Sequence, residues 1–358
     1  MREQHDVPLS TFTTMRVGGP AARLVTVTTT DELVDAVREV DDADEPLLVL
    51  SGGSNLVIAD GGFPGTVVRV ATSGVTVESA DLCGGVMVRV AAGESWDELV
   101  ARAVSEGWSG IEALSGIPGC TGATPVQNVG AYGQEVAQTI ASVRTWDRHE
   151  QRVRTFSNLD CAFTYRHSIF KSHPRYVVLD VLFQLIPGGL SQPVGYADLA
   201  RQLGVETGDR VPLADAREAV LQQRRNRGMV LDADDHDTWS CGSFFTNPIL
   251  SAQRFAALES RAATRLGPEA SAPPRFADPD GNVKTSAAWL IDKAGFEKGF
   301  ALPGSGAALS TKHTLAITNR GDATAADVAE LARHLQAGVH DAFGVTLVNE
   351  PVFVGHDL

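Results

Sequence analysis

Apolar and polar positions repeat with two different periods along this chain, which predicts a mixture of strands and helices. In the segment 86–90 valines alternate with other residues, and this is the period of a half-buried strand. The segment 46–50 is instead a short continuous apolar run, which is typical of a strand buried on both faces. On these grounds strands are predicted over 22–28, 46–50, 66–70, 86–90, 140–146, 151–156, 176–186 and 345–354.

Helical spacing dominates other segments. In 324–343 apolar residues recur three or four positions apart, which places them on one face of a helix. Ser95 and Glu98 have the spacing of a capping box, in which each side chain accepts a hydrogen bond from the backbone amide of the other. Helices are predicted to begin at Thr30 and near Ser95, and to span 213–226, 252–266, 285–294 and 324–343.

The order of these elements indicates an α+β fold in three pieces. The first piece covers residues 1–71 and is a small unit of strands and one helix. The second covers 72–211 and is rich in strand patterns, and the C-terminal strand, 349–358, is predicted to join it. The third covers 212–348, where helical patterns prevail.

Charge and cysteine content exclude several classes of function. The formal charge of −14, from 44 acidic and 30 basic residues, disfavours nucleic acids and anionic membranes as partners. One dense basic run, Arg224, Arg225 and Arg227, is interpreted equally well as a solvated helix end or a phosphate contact. The 4 cysteines form no C-x-x-C pair, so neither a zinc knuckle nor a thioredoxin motif is predicted, and no metal site is expected. The first residues lack the apolar core of a signal peptide, and no apolar run reaches roughly 18 residues, so a cytoplasmic location is expected.

Two glycine-containing loops are the candidates for chemistry. The strand at 46–50 runs into Ser51-Gly52-Gly53-Ser54-Asn55, which has the composition of a backbone amide nest for phosphate oxygens. Taken alone, this segment is better interpreted as a tight turn between secondary elements. The second loop, 115–133 (SGIPGCTGATPVQNVGAYG), favours ligand binding over the alternative of a flexible linker, because loops of this length are usually functional and a few apolar residues within it indicate packing. Backbone amides such as those of Gly122 and Ala123 are predicted to lie near a diphosphate. Neither a P-loop nor a Rossmann fingerprint occurs.

Together with five further segments, these loops resemble the UDP-N-acetylenolpyruvoylglucosamine reductase family. The resemblance is carried by 13–19 (TTMRVGG), 51–56, 115–133, 165–171 (YRHSIFK), 242–248 (GSFFTNP), 289–292 (WLID) and 349–351 (NEP), in the family's order. It implies a two-part FAD-binding fold of the vanillyl-alcohol-oxidase kind, made of 1–71 and 72–211, and a substrate-binding domain at 212–348. It also implies FAD as cofactor and NADPH as electron donor.

The resemblance implies three catalytic residues, Ser243, Arg166 and Glu350. The reaction is the reduction of an enolpyruvyl ether to UDP-N-acetylmuramate, in which a hydride adds to the terminal carbon and a proton to its neighbour. Arg166 suits the substrate carboxylate, because its planar guanidinium pairs with carboxylates and stabilises developing negative charge. Glu350 is expected to hydrogen-bond the same carboxylate if burial preserves its proton. Ser243 is expected to donate the proton to carbon, helped by its neighbours or by water.

The remaining site residues also come from the resemblance. FAD is expected to contact Gly52, Gly53, Ser54, Asn55, Leu56, Gly119, Cys120, Thr121, Gly122, Ala123, Pro125, Asn128 and Gly130. The sugar nucleotide is expected to contact Tyr196, Arg227, Asn247, Lys298 and His313. Tyr196 matches the tyrosine loop of the family's first subtype, whereas Arg227 stands where many relatives have lysine, so its role is open. The alternatives are a flavin-dependent oxidase of the same fold that acts on an alcohol or sugar, and a non-catalytic UDP-sugar- or flavin-binding protein.

Overall fold

The computed structural model describes residues 1–81, 83–171, 174–267, 269–278 and 280–358. By their contacts these residues divide into two units. The first unit comprises Met1–Val7, Pro20–Gly53 and Phe63–Val230, and the second comprises Pro8–Gly19, Ser54–Gly62 and Leu231–Leu358. The division differs from the three predicted pieces, whose boundaries stay a prediction.

Strands and helices are interspersed throughout the described chain. The strands are β1 (Arg2–Pro8), β2 (Pro20–Val27), β3 (Leu47–Leu50), β4 (Leu56–Ile58), β5 (Phe63–Val70), β6 (Val75–Asp81), β7 (Gly85–Ala91), β8 (Trp108–Ser109), β9 (Gly130–Ala131), β10 (Gln134–Glu135), β11 (Ile140–Asp147), β12 (Arg152–Ser157), β13 (Tyr176–Pro187), β14 (Ile249–Leu250), β15 (Phe276–Ala277), β16 (Val283–Lys284), β17 (Ala307–Leu309), β18 (Ile317–Asn319) and β19 (Val352–Val354). The helices are α1 (Thr30–Asp42), α2 (Trp96–Ser105), α3 (Ala197–Leu203), α4 (Leu213–Asn226), α5 (Ala252–Leu266), α6 (Ala287–Ala294) and α7 (Ala325–Phe343). The predicted α+β class is therefore confirmed.

The first unit is built on two larger sheets. One has the strand order β1-β2-β5-β3, with β5 parallel to β2 and β3, and α1 packs on it through its buried Leu33 and Val37. The other has the order β12-β11-β13-β7-β6, with β8 beside β13, and its neighbouring strands are antiparallel. Val86, Val88 and Val90 of β7 are all buried, as their alternation predicts.

The predicted capping box at the start of α2 is not formed. Ser95 makes no side-chain capping hydrogen bond, although α2 does begin at the next residue. The amide of Trp96 donates instead to the carbonyl of Gly119 at 3.0 Å, and the amide of Thr121 donates to the carbonyl of Glu94 at 2.8 Å. The backbone of the glycine-rich loop thus satisfies the first amide of this helix, because the first amides of a helix have no acceptor within the helix itself.

An ion pair between the buried Asp147, at the end of β11, and the half-buried Arg175 makes the stability of this unit pH-dependent. The Nε and Nη2 atoms of Arg175 lie 2.7 and 2.6 Å from the two carboxylate oxygens of Asp147. These hydrogen bonds lower the pKa of Asp147 from its ordinary 3.8 to about 2. Since the folded state binds this proton less readily than the unfolded chain, the pair stabilises the fold above about pH 4, and this contribution is lost as the pH falls towards 2.

We therefore expect Asp147→Asn to lower the free energy of unfolding at neutral pH. The loss of stability between about pH 4 and 2 should also become shallower than in the parent protein, because the titrating group is gone. Urea unfolding at several pH values measures both effects, and Asp31→Asn, at an exposed position of α1, is the control. If Asp147→Asn loses stability between about pH 4 and 2 as steeply as the parent protein does, the ion pair is not the cause of the pH dependence.

The second unit packs three helices and small sheets around one core. The apolar stripe of α7, predicted from its spacing, is buried at Val328, Leu331, Leu335, Val339 and Phe343. The sheets have the orders β14-β16-β15, β17-β18 and β19-β4, and the last pair is parallel. The C-terminal strand thus pairs with β4 rather than with a strand of 72–211, and it is shorter than the predicted 345–354. Within the described residues, no helix is both long and apolar enough to cross a membrane.

Candidate functional site

The two glycine-containing loops touch each other in the first unit. A Cβ added at Gly52 would overlap the Cα of Gly119 and would lie 3.0 Å from its carbonyl carbon and 3.2 Å from the amide nitrogen of Cys120. Gly53, the next residue, has a φ of 58° and Gly119 a φ of 114°, both in the region that favours glycine. The loop after β3 and the loop 115–133 therefore meet through their backbones.

The second loop is fastened to the connection between β7 and α2. The amide of Gly122 donates to the carbonyl of Ala92 at 2.8 Å, and a Cβ at Gly122 would lie 2.5 Å from the Cβ of Ala92. The amide of Ala123 donates to the carbonyl of Cys120 at 3.1 Å. Both amides are thus bonded within the protein, and their predicted place near a diphosphate stays a prediction. Gly122 is needed for close packing.

Two hydroxyl groups in these loops are buried without a hydrogen bond to the described residues. Ser51 Oγ and Thr121 Oγ1 are buried and have no hydrogen-bond partner among the described residues. A buried polar atom without a partner is costly, so such an atom in a native protein calls for an explanation, such as a functional role or a bound water or ion. Two unsatisfied hydroxyls beside a backbone-to-backbone contact fit a ligand with several oxygen acceptors, as the diphosphate of FAD has. Ser51 was not among the predicted contacts.

Arg166 is held against the same glycine-rich loop. Its Nη2 donates to the carbonyl of Gly130 at 2.8 Å, and Lys171 Nζ donates to the carbonyl of Arg166 at 3.0 Å. Arg166 has a φ of 55°, an uncommon conformation for a residue with a side chain. The buried Asn128 ties the loop to this turn, because its Nδ2 donates to the carbonyl of Thr164 at 3.1 Å. The structure thus brings Arg166, Asn128 and Gly130 together.

Tyr196 lies beside a second tyrosine that the sequence did not single out. The rings of Tyr196 and Tyr132 meet edge to face with centroids 5.7 Å apart, and Tyr196 is 44% exposed. The guanidinium of Arg227 lies 5.9 Å from the Tyr132 ring and 3.8 Å from Asp198. Burial raises the pKa of the Tyr132 phenol, so it stays a neutral hydrogen-bonding group. Two phenols and an arginine fork therefore share one surface.

The basic run at the end of α4 separates into different environments. Arg225 is exposed and pairs with Glu218 at 2.8 Å, as expected of a solvated helix end. Arg224 is only 8% exposed, its Nη2 donates to the carbonyl of Met229, and its Nε has no partner among the described residues. Burial lowers the pKa of Arg224. The helical periodicity of the sequence could have predicted that Arg224 is buried, because Arg224 lies one turn after the buried Val220.

In the second unit, three of the family motifs converge through backbone hydrogen bonds. The amide of Glu350 donates to the carbonyl of Phe244 at 2.8 Å, next to Ser243. Asn55 Nδ2 donates to the carbonyl of Glu350 at 3.1 Å, and the amide of Val352 donates to the carbonyl of Asn55 at 2.9 Å. The predicted catalytic Ser243 and Glu350 and the predicted FAD contact Asn55 are thus neighbours. Leu56, the first residue of β4, pairs with Val352 in the same arrangement.

Cys241, two residues before Ser243, is not a nucleophile in this environment. Its side chain is buried, and its Sγ donates to the carbonyl of Leu56 at 3.5 Å. Burial raises the pKa of the thiol to about 12. Because the thiolate is the reactive form, Cys241 acts as a small packing residue beside the site.

The other residues predicted to bind the sugar nucleotide occupy turns of the second unit. Asn247 Oδ1 accepts a hydrogen bond from the amide of Ala287, at the start of α6. The amide of His313 donates to the hydroxyl of Ser310 at 3.2 Å. The backbone carbonyl of Ser310 accepts from the amide of Gly299, the neighbour of the exposed Lys298. The turns that bear Lys298 and His313 are therefore linked through Ser310.

The predicted residues are distributed over both units. The first unit holds Gly52, Gly53, Gly119, Cys120, Thr121, Gly122, Ala123, Pro125, Asn128, Gly130, Arg166, Tyr196 and Arg227, and the second holds Ser54, Asn55, Leu56, Ser243, Asn247, Lys298, His313 and Glu350. Within the described part of the chain, no group of three histidine, cysteine or carboxylate residues is placed to hold a metal ion.

Comparisons with known proteins cover the whole chain. Residues 234–354 match the family model of the C-terminal domain of UDP-N-acetylenolpyruvoylglucosamine reductase, and residues 21–155 match an FAD binding domain. The chain is 59% identical over 358 residues to UDP-N-acetylenolpyruvoylglucosamine reductase of Streptomyces coelicolor, covering 99% of this chain and 91% of that protein. It is 48% identical to the enzyme of that name from Mycolicibacterium smegmatis, covering 98% and 94%.

A solved structure agrees with these matches. The crystal structure of UDP-N-acetylenolpyruvylglucosamine reductase from Thermus caldophilus superposes with a TM-score of 0.65 at 27% identity and covers 99% of both chains. The predicted fold class, an FAD-binding fold followed by a C-terminal α+β domain, is confirmed by this likeness and by the two family models. The chain belongs to the UDP-N-acetylenolpyruvoylglucosamine reductase family.

Proposed function

We propose that this chain reduces the enolpyruvyl ether of UDP-N-acetylglucosamine enolpyruvate to UDP-N-acetylmuramate, with FAD as cofactor and NADPH as electron donor. The reaction is a step of peptidoglycan precursor synthesis, and we place it in the cytoplasm. One structural observation carries the proposal: the Asn55 side chain of the first glycine loop donates to the Glu350 carbonyl, and the Glu350 amide donates to the carbonyl of Phe244, next to Ser243. A proposed FAD contact and two proposed catalytic residues are therefore neighbours, as they must be in order to act on one substrate.

The chain offers a specific set of contacts to FAD. The hydroxyl groups of Ser51 and Thr121 are the unsatisfied polar atoms of the two loops, and they would hydrogen-bond the cofactor's phosphate or ribose oxygens. Because Gly52 and Gly119 have no side chains, backbone atoms alone form the close contact between the two loops. When bound, FAD supplies the hydride that the chemistry requires.

Three side chains stabilise the negative charge that develops on the substrate and supply the proton. Arg166, oriented by its hydrogen bond to Gly130, pairs with the substrate carboxylate and stabilises the negative charge that spreads into it after hydride addition. Glu350 donates a hydrogen bond to the same carboxylate, a role that requires Glu350 to keep its own proton. Ser243 then donates its hydroxyl proton to the carbon next to the carboxylate, which completes the reduction. The hydride and this proton together saturate the carbon–carbon double bond.

The sugar nucleotide is held by groups with matching charge. Tyr196 and Arg227 share a surface with Tyr132 and provide phenol and guanidinium donors for diphosphate oxygens. A lysine at position 227 would offer a point charge, whereas Arg227 offers a planar fork that also lies near the Tyr132 ring. Asn247, Lys298 and His313 complete the proposed contacts from the second unit.

An anaerobic spectroscopic titration tests the function directly. Purified protein should be yellow, NADPH should bleach it, and UDP-N-acetylglucosamine enolpyruvate should restore the colour in a stoichiometric amount. A flavin-dependent oxidase would instead be bleached by an alcohol or sugar and recoloured by oxygen. A binding protein without catalysis would keep its colour with every donor. Either of these last two results would overturn the proposal.

The contact between the two loops gives a separate prediction about cofactor binding. In Gly52→Ala the new methyl group overlaps the Gly119 backbone, so the loops must separate. Overpacking of this kind costs about 1–3 kcal/mol, so we expect FAD binding to weaken by roughly tenfold or more. Flavin content after dialysis and fluorescence titration of the apoprotein measure the change. Gly61→Ala is the matched control, because a Cβ at Gly61 meets no atom within 4 Å. Equal FAD affinity in the two variants would count against the loop contact.

A further inference from the structure

A buried carboxylate that the proposed mechanism does not use lies behind the two tyrosines. Glu112 is only 2% exposed and precedes the glycine-rich loop by three residues. Its Oε2 accepts from the amide of Gly110 at 2.6 Å, and its Oε1 accepts from Gln134 Nε2 at 2.9 Å and from the amide of Gln192 at 2.6 Å. Three donors on one buried carboxylate form a charge-assisted cluster, which is the strong class of hydrogen bond.

The cluster connects the two segments that carry the tyrosines. Gln134 follows Tyr132 by two residues, and Gln192 precedes Tyr196 by four. Gln134 is itself fixed, because its Oε1 accepts from the amide of Ala113 at 2.8 Å. Glu112 therefore holds the segment of Tyr132 through a side chain and the segment of Tyr196 through a backbone amide.

The two segments also run side by side beyond the carboxylate. A Cβ added at Gly133 would lie 3.7 Å from the Cα of Gly195, so the backbones next to the two tyrosines are in ordinary contact range. The edge-to-face contact of Tyr132 and Tyr196 follows at 5.7 Å. Tyr196 is nevertheless 44% exposed, so packing alone does not immobilise its ring. Its placement depends on how the chain enters the loop at Gln192.

We propose that Glu112 is a positioning residue for the sugar nucleotide: it fixes the Tyr132 and Tyr196 segments to one another and so presents the Tyr196 hydroxyl to the ligand. The proposal rests on the proposed function, in which Tyr196 contacts the UDP moiety. Glu112 itself touches neither substrate nor flavin in this scheme. Glu112 acts by fixing the direction in which the chain enters the Tyr196 loop at Gln192. Its loss should therefore affect binding of the nucleotide more than the chemical step.

Glu112→Gln tests this with little change of shape. One amide oxygen still accepts two hydrogen bonds, but the amide nitrogen then faces the N–H of Gly110, donor against donor. We expect KM for UDP-N-acetylglucosamine enolpyruvate to rise about tenfold, the equivalent of one weakened hydrogen bond to a charged group, while kcat and FAD content stay close to the parent values. Asp147→Asn is the matched control: it also loses a buried carboxylate of the first unit, and it should leave KM unchanged.

A double-mutant cycle shows whether Glu112 acts through Tyr196. In a Tyr196→Ala background, Glu112→Gln should raise KM little further, because the group being positioned is already absent. An equal rise in both backgrounds would overturn the proposal, as would an unchanged KM in Glu112→Gln. If Glu112→Gln does not fold, Gln134→Ala removes one of the three bonds and should raise KM in the same direction by less.

Hydrogen exchange of the ligand-free protein separates this inference from the proposed function. Loosening the cluster should speed amide exchange at residues 192–196, and this readout needs no turnover. If the parent protein shows no reductase activity, the proposed function fails while exchange still decides the positioning role. Unchanged exchange at 192–196 in Glu112→Gln would overturn the positioning role whatever the activity.

Discussion

Replacing Ser243 by alanine should slow the return of reduced flavin to its oxidised form by about 10²- to 10⁴-fold, the range for a positioned acid–base group. Reduction of the flavin by NADPH should stay near the parent rate, because the serine proton is needed only after hydride has reached the substrate. Stopped-flow absorbance of each half-reaction measures the two rates separately. The variant should fold normally, because the backbone bonds around Ser243, such as that from Glu350 to Phe244, do not involve its side chain.

Ser260→Ala is the control for this experiment. Ser260 is exposed on α5 of the same unit, and its replacement should leave both half-reactions unchanged. If Ser243→Ala damages flavin reduction and reoxidation equally, Ser243 has a structural role and the proton comes from another group.

The second large effect is expected for Arg166→Lys. Lysine keeps the positive charge but loses the planar fork, and a single ammonium group cannot both hold the Gly130 carbonyl and pair with both oxygens of a carboxylate. We expect kcat to fall by roughly 10²- to 10³-fold, as for the removal of one donor that stabilises developing charge. FAD content should be retained. Steady-state kinetics with flavin quantification checks both statements.

Arg154→Lys provides the matched comparison. Arg154 is an exposed arginine of the same unit whose guanidinium lies 4.5 Å from the Phe156 ring, outside the proposed site. It should turn over normally. Near-normal turnover in Arg166→Lys as well would mean that a positive charge suffices, and the role assigned to the guanidinium fork would then be wrong.

Local pattern was sufficient for most of the secondary structure. The predicted helices 213–226 and 252–266 agree with the bounds of α4 and α5, because apolar spacing and the residues that flank each helix are local properties of the sequence. Helix α3, the longer strands β1 and β6, and the strands of two or three residues, β4, β8–β10 and β14–β18, were not predicted. In β6 all residues after the first are exposed, so this edge strand has no apolar alternation to detect. Its strand conformation comes from pairing with β7.

The sequence by itself determined the family, the two glycine loops and the residue types available for catalysis, since these lie in short contiguous motifs. Only the tertiary structure decided which polar groups satisfy one another. The first α2 amide donates to the loop carbonyl of Gly119 and Ser95 makes no side-chain cap, Gly122 proved to be bonded to Ala92, and β19 paired with β4. The physical reason is that buried donors and acceptors must be paired, while the partner of each one is set by residues far away in the chain. The Glu112 cluster, which joins segments 80 residues apart, has no signature in local sequence.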